Sequence, residues 1–179
     1  MKDHQHFLER ALEISITAYK SGKGLPIGCV IVRDGKIIAE GHNEVFAQMN
    51  PTAHAEMVVI AKAAKELGKL NLEDCILYTT VEPCPMCLSA SYWAKIGAIY
   101  YAVTSEDAAT VRFDDSFIFA ELRKTKEERM IPLNHIEMKP VLEVLKHWNL
   151  LIVISPNIGR RIILIQMNNI HKETFSHYP

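Results

Sequence analysis

Short β-rich runs alternate with helical periods along most of this chain, and that alternation confines it to an α/β fold. Phe7, Leu8, Ala11, Ile14, Ala18 and Tyr19 recur at helical intervals until Ser21-Gly22, Gly24 and Pro26 break the pattern. Cys29-Val30-Ile31-Val32 and Ile37-Ile38-Ala39 flank Asp34-Gly35, the signal of a tight I′-type turn, so a hairpin is predicted. A second helix is predicted after Pro51-Thr52, with Thr52 as N-cap, running to about Leu67 before Gly68. Cys75-Ile76-Leu77-Tyr78-Thr79 reads as a buried strand. Pro83 and Pro85 then open a third helix through Cys87, Ala90 and Trp93, because proline suits the first helical turn. Residues 98–103 read as another buried strand. After the mixed charges of residues 121–129, residues 131–138 alternate weakly as a last strand, and residues 141–148 read as a short helix. The expected result is a three-layer α/β sandwich with helices on both faces of the sheet.

Composition narrows the class. The chain has 179 residues, close to one domain on a prior of about 100–200 residues each. A hydrophobic fraction of 49% with 23% charged residues excludes a disordered chain. Lys+Arg 20 against Asp+Glu 21 leaves no general basic surplus for gripping nucleic acid. Four cysteines make no disulfide framework. The polar start lacks the apolar core of a signal peptide, and no apolar run approaches the ~18 residues of a membrane span, so a cytoplasmic protein is expected. Residues 150–179 differ from the rest. Leu150-Leu151-Ile152-Val153-Ile154 and Ile162-Ile163-Leu164-Ile165 are dense aliphatic runs around Ser155-Pro156-Asn157 and Arg160-Arg161. They read as two short strands packing on the domain or on a second subunit; the alternative is a poorly integrated extension. The chain is therefore divided into residues 1–149, a catalytic domain, and residues 150–179, an aliphatic extension associated with a dimer.

Two motifs carry chemistry: His54-Ala55-Glu56 and Pro83-Cys84-Pro85-Met86-Cys87, each where a helix is predicted to begin. Helix N-termini carry free N–H groups and a partial positive charge that favour thiolates. Cys84 and Cys87 share a helical face and can hold one metal ion together. With His54 they make three N/S ligands, a set that suits Zn²⁺ and leaves one position open. Zinc bound in this way lowers the pKa of water to about 7. Glu56, two residues from His54, can move protons without ligating the metal. The pair of motifs matches the zinc-deaminase signature, a known pattern. Each motif alone is weak. A lone Cys-x-x-Cys also fits a thioredoxin-like dithiol, and a lone His-x-Glu also fits a solvated helix start. A structural zinc site would need a fourth ligand, and the spare thiols Cys29 and Cys75 sit in predicted strands as core residues. The two motifs in this order make the signal strong.

On these residues the chain resembles the cytidine deaminase superfamily, in the branch that holds bacterial guanine deaminases and tRNA adenosine deaminases. The resemblance to the guanine deaminases spans about residues 7–148. It is carried by Asp34-Gly35, Asn43, Pro51-Thr52-Ala53-His54-Ala55-Glu56, Asp74-Cys75-Ile76-Leu77-Tyr78-Thr79, residues 82–87 and Tyr92-Trp93-Ala94. Phe113-Asp114-Asp115-Ser116-Phe117-Ile118 and Glu127-Glu128-Arg129-Met130-Ile131-Pro132 resemble the guanine-specific members in particular. The resemblance implies a cytidine deaminase-like five-stranded mixed sheet flanked by helices, a homodimer, and zinc-dependent hydrolysis of guanine to xanthine and ammonia. It further implies His54, Cys84 and Cys87 as Zn²⁺ ligands and Glu56 as the catalytic proton shuttle. Asn43, Asp115 and Ala55 are the implied contacts to the purine base. The chemistry supports Asp115, because guanine presents ring N–H donors that a carboxylate accepts. The alternative for Asp114-Asp115 is a helix cap. The chain departs from the family at Ile27, where an aromatic is usual, at Arg112, where glycine is common, and in its aliphatic end. Phe175 and Tyr178 are the nearest counterparts of the family's pocket-closing aromatic.

The nearest rival is a tRNA adenosine deaminase or another nucleobase or nucleoside deaminase. Residues 134–179 hold five Lys/Arg (139, 146, 160, 161 and 172) against three Glu (137, 143 and 173), too small a surplus for a phosphate-tracking face. A dithiol oxidoreductase predicts a redox-active Cys84–Cys87 pair without zinc, and a non-catalytic zinc scaffold predicts no turnover. The expected partners are a purine base and a second copy of the chain; neither a membrane nor nucleic acid is expected.

Overall fold

A computed structural model describes residues 4–154, with side chains through Trp148. The chain divides into two compact units, Met1–Pro132 and Leu133–Pro179. In the first, α1 (His4–Lys20) leads into the hairpin β1 (Gly28–Arg33) and β2 (Lys36–His42). The turn between them holds Asp34 at φ 50° and Gly35 at φ 75°, the paired left-handed geometry that a two-residue I′ turn requires. Then follow α2 (Val45–Gln48), α3 (Ala55–Leu67), β3 (Ile76–Val81), α4 (Pro85–Trp93) and β4 (Ala98–Val103). The short helices α5 (Ser105–Thr110) and α6 (Ser116–Arg123) and a single 3₁₀ turn at Lys126–Glu128 complete this unit. The second unit is described through α7 (Lys139–Ile154).

The sheet order is β2-β1-β3-β4. β1 pairs antiparallel with both β2 and β3, while β3 and β4 run parallel with α4 as their crossover. Side chains alternate across the sheet as the pleat dictates. From β1, Cys29 and Ile31 join Leu77, Ala55, Val59 and Ala63 in the cluster beneath α3. Val30 and Val32 instead meet Ala11 and Tyr78 in the cluster beneath α1. Helices thus cover both faces, as the sequence pattern implies. Tyr78 is fully buried, yet its hydroxyl is not orphaned, because it lies 2.8 Å from His4 Nδ1.

Several expectations are corrected. The sheet among the described residues has four strands and not five, because residues 131–138 form no strand and are exposed throughout. Their alternation is interrupted by Pro132, which cannot donate to a ladder, and by Asn134, a poor strand former. β4 has the predicted bounds but is not buried; it is an edge, and Tyr100, Tyr101 and Val103 are at least one-third exposed. Thr52 is not an N-cap. Its N–H and hydroxyl both bond Asn50 Oδ1, and α3 begins only at Ala55. Residues 150–154, expected as a strand, continue α7. The second aliphatic run, Phe175 and Tyr178 lie outside the described residues.

Candidate active site

The site forms where two helices begin. His54 is the N-cap of α3 and Cys84 the N-cap of α4, both with extended backbone. Their carbonyls accept the first helical hydrogen bonds, from Val58 at 3.0 Å and Leu88 at 2.9 Å. Neither side chain caps its helix. An N-cap is usually a short polar residue whose oxygen bonds back to the first turn. Here the backbone performs the N-cap's hydrogen bonding and leaves an imidazole and a thiol to converge. Pro85, at the first position of α4, fixes the turn that brings Cys87 beside Cys84.

His54 Nδ1 lies 3.6 Å from Cys84 Sγ and 3.6 Å from Cys87 Sγ. All three donor atoms fall within 4.8 Å of one another. A tetrahedral zinc with Zn–S of about 2.3 Å and Zn–N of about 2.0–2.1 Å sets its nitrogen and sulfur ligands about 3.5–3.6 Å apart. The donor set therefore fits zinc in both chemistry and spacing. Its electrostatics agree. Hydrogen bonds from Cys87 and then His54 bring the Cys84 thiol down to about 4, against the opposing effect of its burial. The Cys87 thiol is pushed far up by donating to Cys84 and by burial. The same pairing with Cys84 raises the pKa of His54, and a thiolate in this position is a charge that a divalent cation complements.

Glu56 stands in the first turn of α3 and is only 4% exposed. Burial raises its pKa above the usual carboxylate range. Oε1 accepts the Thr79 hydroxyl at 3.3 Å, and Oε2 lies 3.5 Å from Cys87 Sγ. A carboxyl at the cluster's side, shielded from bulk water and with its pKa raised by burial, has the properties of a general acid–base group.

These groups open into a cavity of about 200 Å³, lined also by Ile27, Asn43, Glu82, Phe113 and Asp115. Asn43 is 2% exposed, and its Oδ1 accepts the Val45 N–H at 3.2 Å, an orientation that fixes the amide at the cavity wall. Gly24 allows the preceding loop to close on this residue, since a Cβ there would stand 2.0 Å from the Asn43 carbonyl oxygen. Asp114 and Asp115 divide their work. Asp114 Oδ1 takes the Ser116 N–H at 3.0 Å, whereas Asp115, the N-cap of α6, makes no side-chain cap. Burial, then the nearby Cys84 charge, raises the pKa of Asp115. Of the base-binding candidates, Ala55 alone does not line the cavity; its side chain is fully buried in the core beneath α3. Any contact from Ala55 to a base falls to its backbone.

Sequence reading missed three members of the site: Thr79, Glu82 and the cavity-lining position of Arg112. A signal for Thr79 existed. A polar residue in a strand otherwise buried on both faces needs a partner, and the pleat places it beside Cys29, its register neighbour on β1. Glu82 is tied to the start of α5, its Oε2 accepting the Ser105 N–H at 3.0 Å.

Residues 1–103 match the family model described as the cytidine and deoxycytidylate deaminase zinc-binding region. The guanine deaminase of Bacillus subtilis is 49% identical over 146 residues, which is 82% of this chain and 94% of that protein. The crystal structure of a guanine deaminase from Bacillus subtilis superposes with a TM-score of 0.80 at 46% identity, covering 89% of this chain and 97% of that one. A tRNA-specific adenosine deaminase of Aquifex aeolicus is 40% identical, over 55% of this chain and 64% of that protein.

Proposed function

This chain belongs to the cytidine and deoxycytidylate deaminase family, and from that premise we infer that it is a zinc-dependent hydrolase converting guanine and water to xanthine and ammonia. The observation that carries this reading is the convergence of His54, Cys84 and Cys87 beside a buried Glu56, at a cavity that also receives Asn43 and Asp115. Identity to a guanine deaminase across 82% of the chain supports guanine over tRNA adenosine, whose relative of 40% identity aligns with only 55% of it.

His54, Cys84 and Cys87 would hold the zinc, which when bound makes water acidic enough to act as a nucleophile near neutral pH. Glu56 takes one proton from the attacking water and gives it to the ring nitrogen beside the amino-bearing carbon. It then passes the second proton to the amino group, which leaves as ammonia. The positive end of the α4 dipole stabilises the charge that develops on oxygen. Asp115 accepts a ring N–H of the base, and Asn43 hydrogen-bonds its rim through the amide. The backbone N–H of Ala55, in the first turn of α3, is a further donor to the base. The enzyme in this reading is a cytoplasmic homodimer; no described helix is long and apolar enough to cross a membrane. Residues 1–149 form its deaminase domain and residues 150–179 an extension involved in the dimer.

Ammonia release across a panel of free bases, nucleosides and tRNA tests the assignment. Guanine is expected to give the highest kcat/KM. Preferred turnover of adenosine in tRNA, or turnover of no member of the panel, overturns it.

A further inference from the structure

Glu56 must hold a defined orientation to move protons, and its surroundings leave few groups to impose one. We propose that Thr79 is a positioning residue for Glu56, its hydroxyl holding one carboxylate oxygen in the core so that the other faces the metal-ligand cluster. The proposal rests on the reading of Glu56 as the proton-transfer group.

The geometry is a bridge. Thr79 is fully buried on β3 and donates through Oγ1 to Glu56 Oε1 at 3.3 Å, while Oε2 lies 3.5 Å from Cys87 Sγ. Those two residues are the side-chain hydrogen-bond partners of Glu56 among the described residues. Cys87 can donate only as a thiol. A cysteine that ligates a metal is a thiolate and has no proton to give. In the metal-loaded enzyme Thr79 is therefore the one side-chain donor left to the carboxylate.

Packing does not explain the hydroxyl. Thr79 neighbours the cluster built from Cys29, Ile31, Leu77 and Val59, where valine would fill the same volume. A buried hydroxyl costs stability unless it is bonded, so its presence points to the bond it makes. Cys29 walls the hydroxyl off from water. It pairs with Thr79 in the β1–β3 register and is fully buried.

Thr79→Val in the zinc-loaded enzyme tests this. The expected result is a kcat on guanine lowered about 10- to 100-fold, the range for losing a hydrogen bond to a charged group. KM stays within about twofold, on the uniform-binding criterion. Zinc content stays unchanged, and Thr79→Ser restores most of the rate. A second measurement does not depend on turnover: the melting temperatures of Thr79→Val, Glu56→Ala and the double variant, each loaded with zinc. A real bond makes the two shifts non-additive, because Thr79→Val has nothing to remove once Glu56 is gone. Thr79→Ala, which adds no bulk, replaces Thr79→Val if the latter does not fold. Unchanged kcat, equal losses in Thr79→Val and Thr79→Ser, or additive melting shifts overturn the proposal. A wild-type enzyme inactive on guanine would instead sink the functional reading, while the melting cycle still reports on the Thr79–Glu56 contact.

Discussion

β3 and β4 lie side by side in parallel register, and both read in the sequence as buried strands, yet they live in different surroundings. Leu77, Tyr78 and Thr79 of β3 are fully buried between helices, and the strand is hydrogen-bonded on both sides. Among the described residues β4 pairs with β3 alone, and Tyr100, Tyr101 and Val103 remain partly exposed. Their compositions are alike: ILYTTV against AIYYAV. What separates them is the number of neighbours, which local composition does not encode. The chemistry sits with the fully enclosed strand. β3 supplies Thr79 and runs directly into Glu82 and Cys84, so the candidate metal-binding thiol follows a strand paired on both sides. β4 supplies an aromatic edge, the kind of surface that a second copy of the chain would cover in the proposed homodimer.

The sharpest contrast between the two regions is catalytic. Cys84→Ala is expected to abolish both bound zinc and turnover, as read by metal analysis and ammonia release. Glu56→Gln is expected to keep the metal and lose about 10²- to 10⁴-fold in kcat, the range for general acid–base catalysis. Zinc loss in Glu56→Gln would place that carboxylate among the ligands and remove it as proton carrier. Next comes stability. Tyr78→Ala on β3 should cost about 3–5 kcal/mol, as deleting a buried aromatic does. Tyr101→Ala on β4 should stay within about 0.5 kcal/mol in a monomer. Denaturant melts of both variants decide it. A large loss for Tyr101→Ala that depends on protein concentration would show the β4 edge covered by a second copy, and the difference between the strands would shrink.

Specificity is a smaller effect on the same enclosed side. Asp115 makes no cap bond, so its carboxylate is available for a base N–H. Asp115 is half-buried, and a base seated over it would bury it further; leaving that acceptor unpaired costs about 1–3 kcal/mol, which discriminates against adenine by roughly 10- to 100-fold. Asp115→Ala should lower kcat/KM for guanine and erase most of that preference while zinc stays bound. An unchanged guanine-to-adenine ratio returns Asp115 to a purely structural role.

Much of this was legible before the fold, for reasons that particular residues show. The Asp34-Gly35 turn and the Gly68 helix end depend on left-handed backbone that few residues accept, so short-range sequence determines them. His54, Cys84 and Cys87 were legible because metal chemistry restricts both residue type and spacing. Asp115 was readable as a candidate, but the neighbouring Asp114 offered the same carboxylate. Only the observed bond from Ser116 N–H to Asp114 separates their roles. Thr79 stayed hidden because its partner is 23 residues away and depends on strand register. Residues 131–138 misled through a weak alternation that no pairing strand supports among the described residues. Local rules carried the turns and the ligands, and long-range pairing decided the rest.

The smallest expected effect falls on the segment that connects the exposed strand to the cavity. After β4, α5 is capped by Val111 and followed by Arg112 at φ 75°, and the N–H groups of Arg112 and Phe113 bond back to Ala109 and Ala108. This is a helix end of the type usually closed by glycine, and it delivers Phe113 and Asp115 to the cavity wall. A side chain in left-handed backbone costs about 1–2 kcal/mol. Arg112→Gly removes that strain but gives the unfolded chain more freedom, which costs about 0.4–1 kcal/mol in return. The balance favours glycine by roughly 0.5–1 kcal/mol, or about 1–4 °C in melting temperature for a chain of this length. Because Arg112 lines the cavity without an ion pair among the described residues, the variant should gain this stability at little cost in zinc content. A lower melting temperature would mean that the guanidinium makes contacts worth more than the strain. The link between β4 and the cavity would then be held by side chains and not by the backbone, and the separation between a structural edge and a catalytic centre would no longer hold.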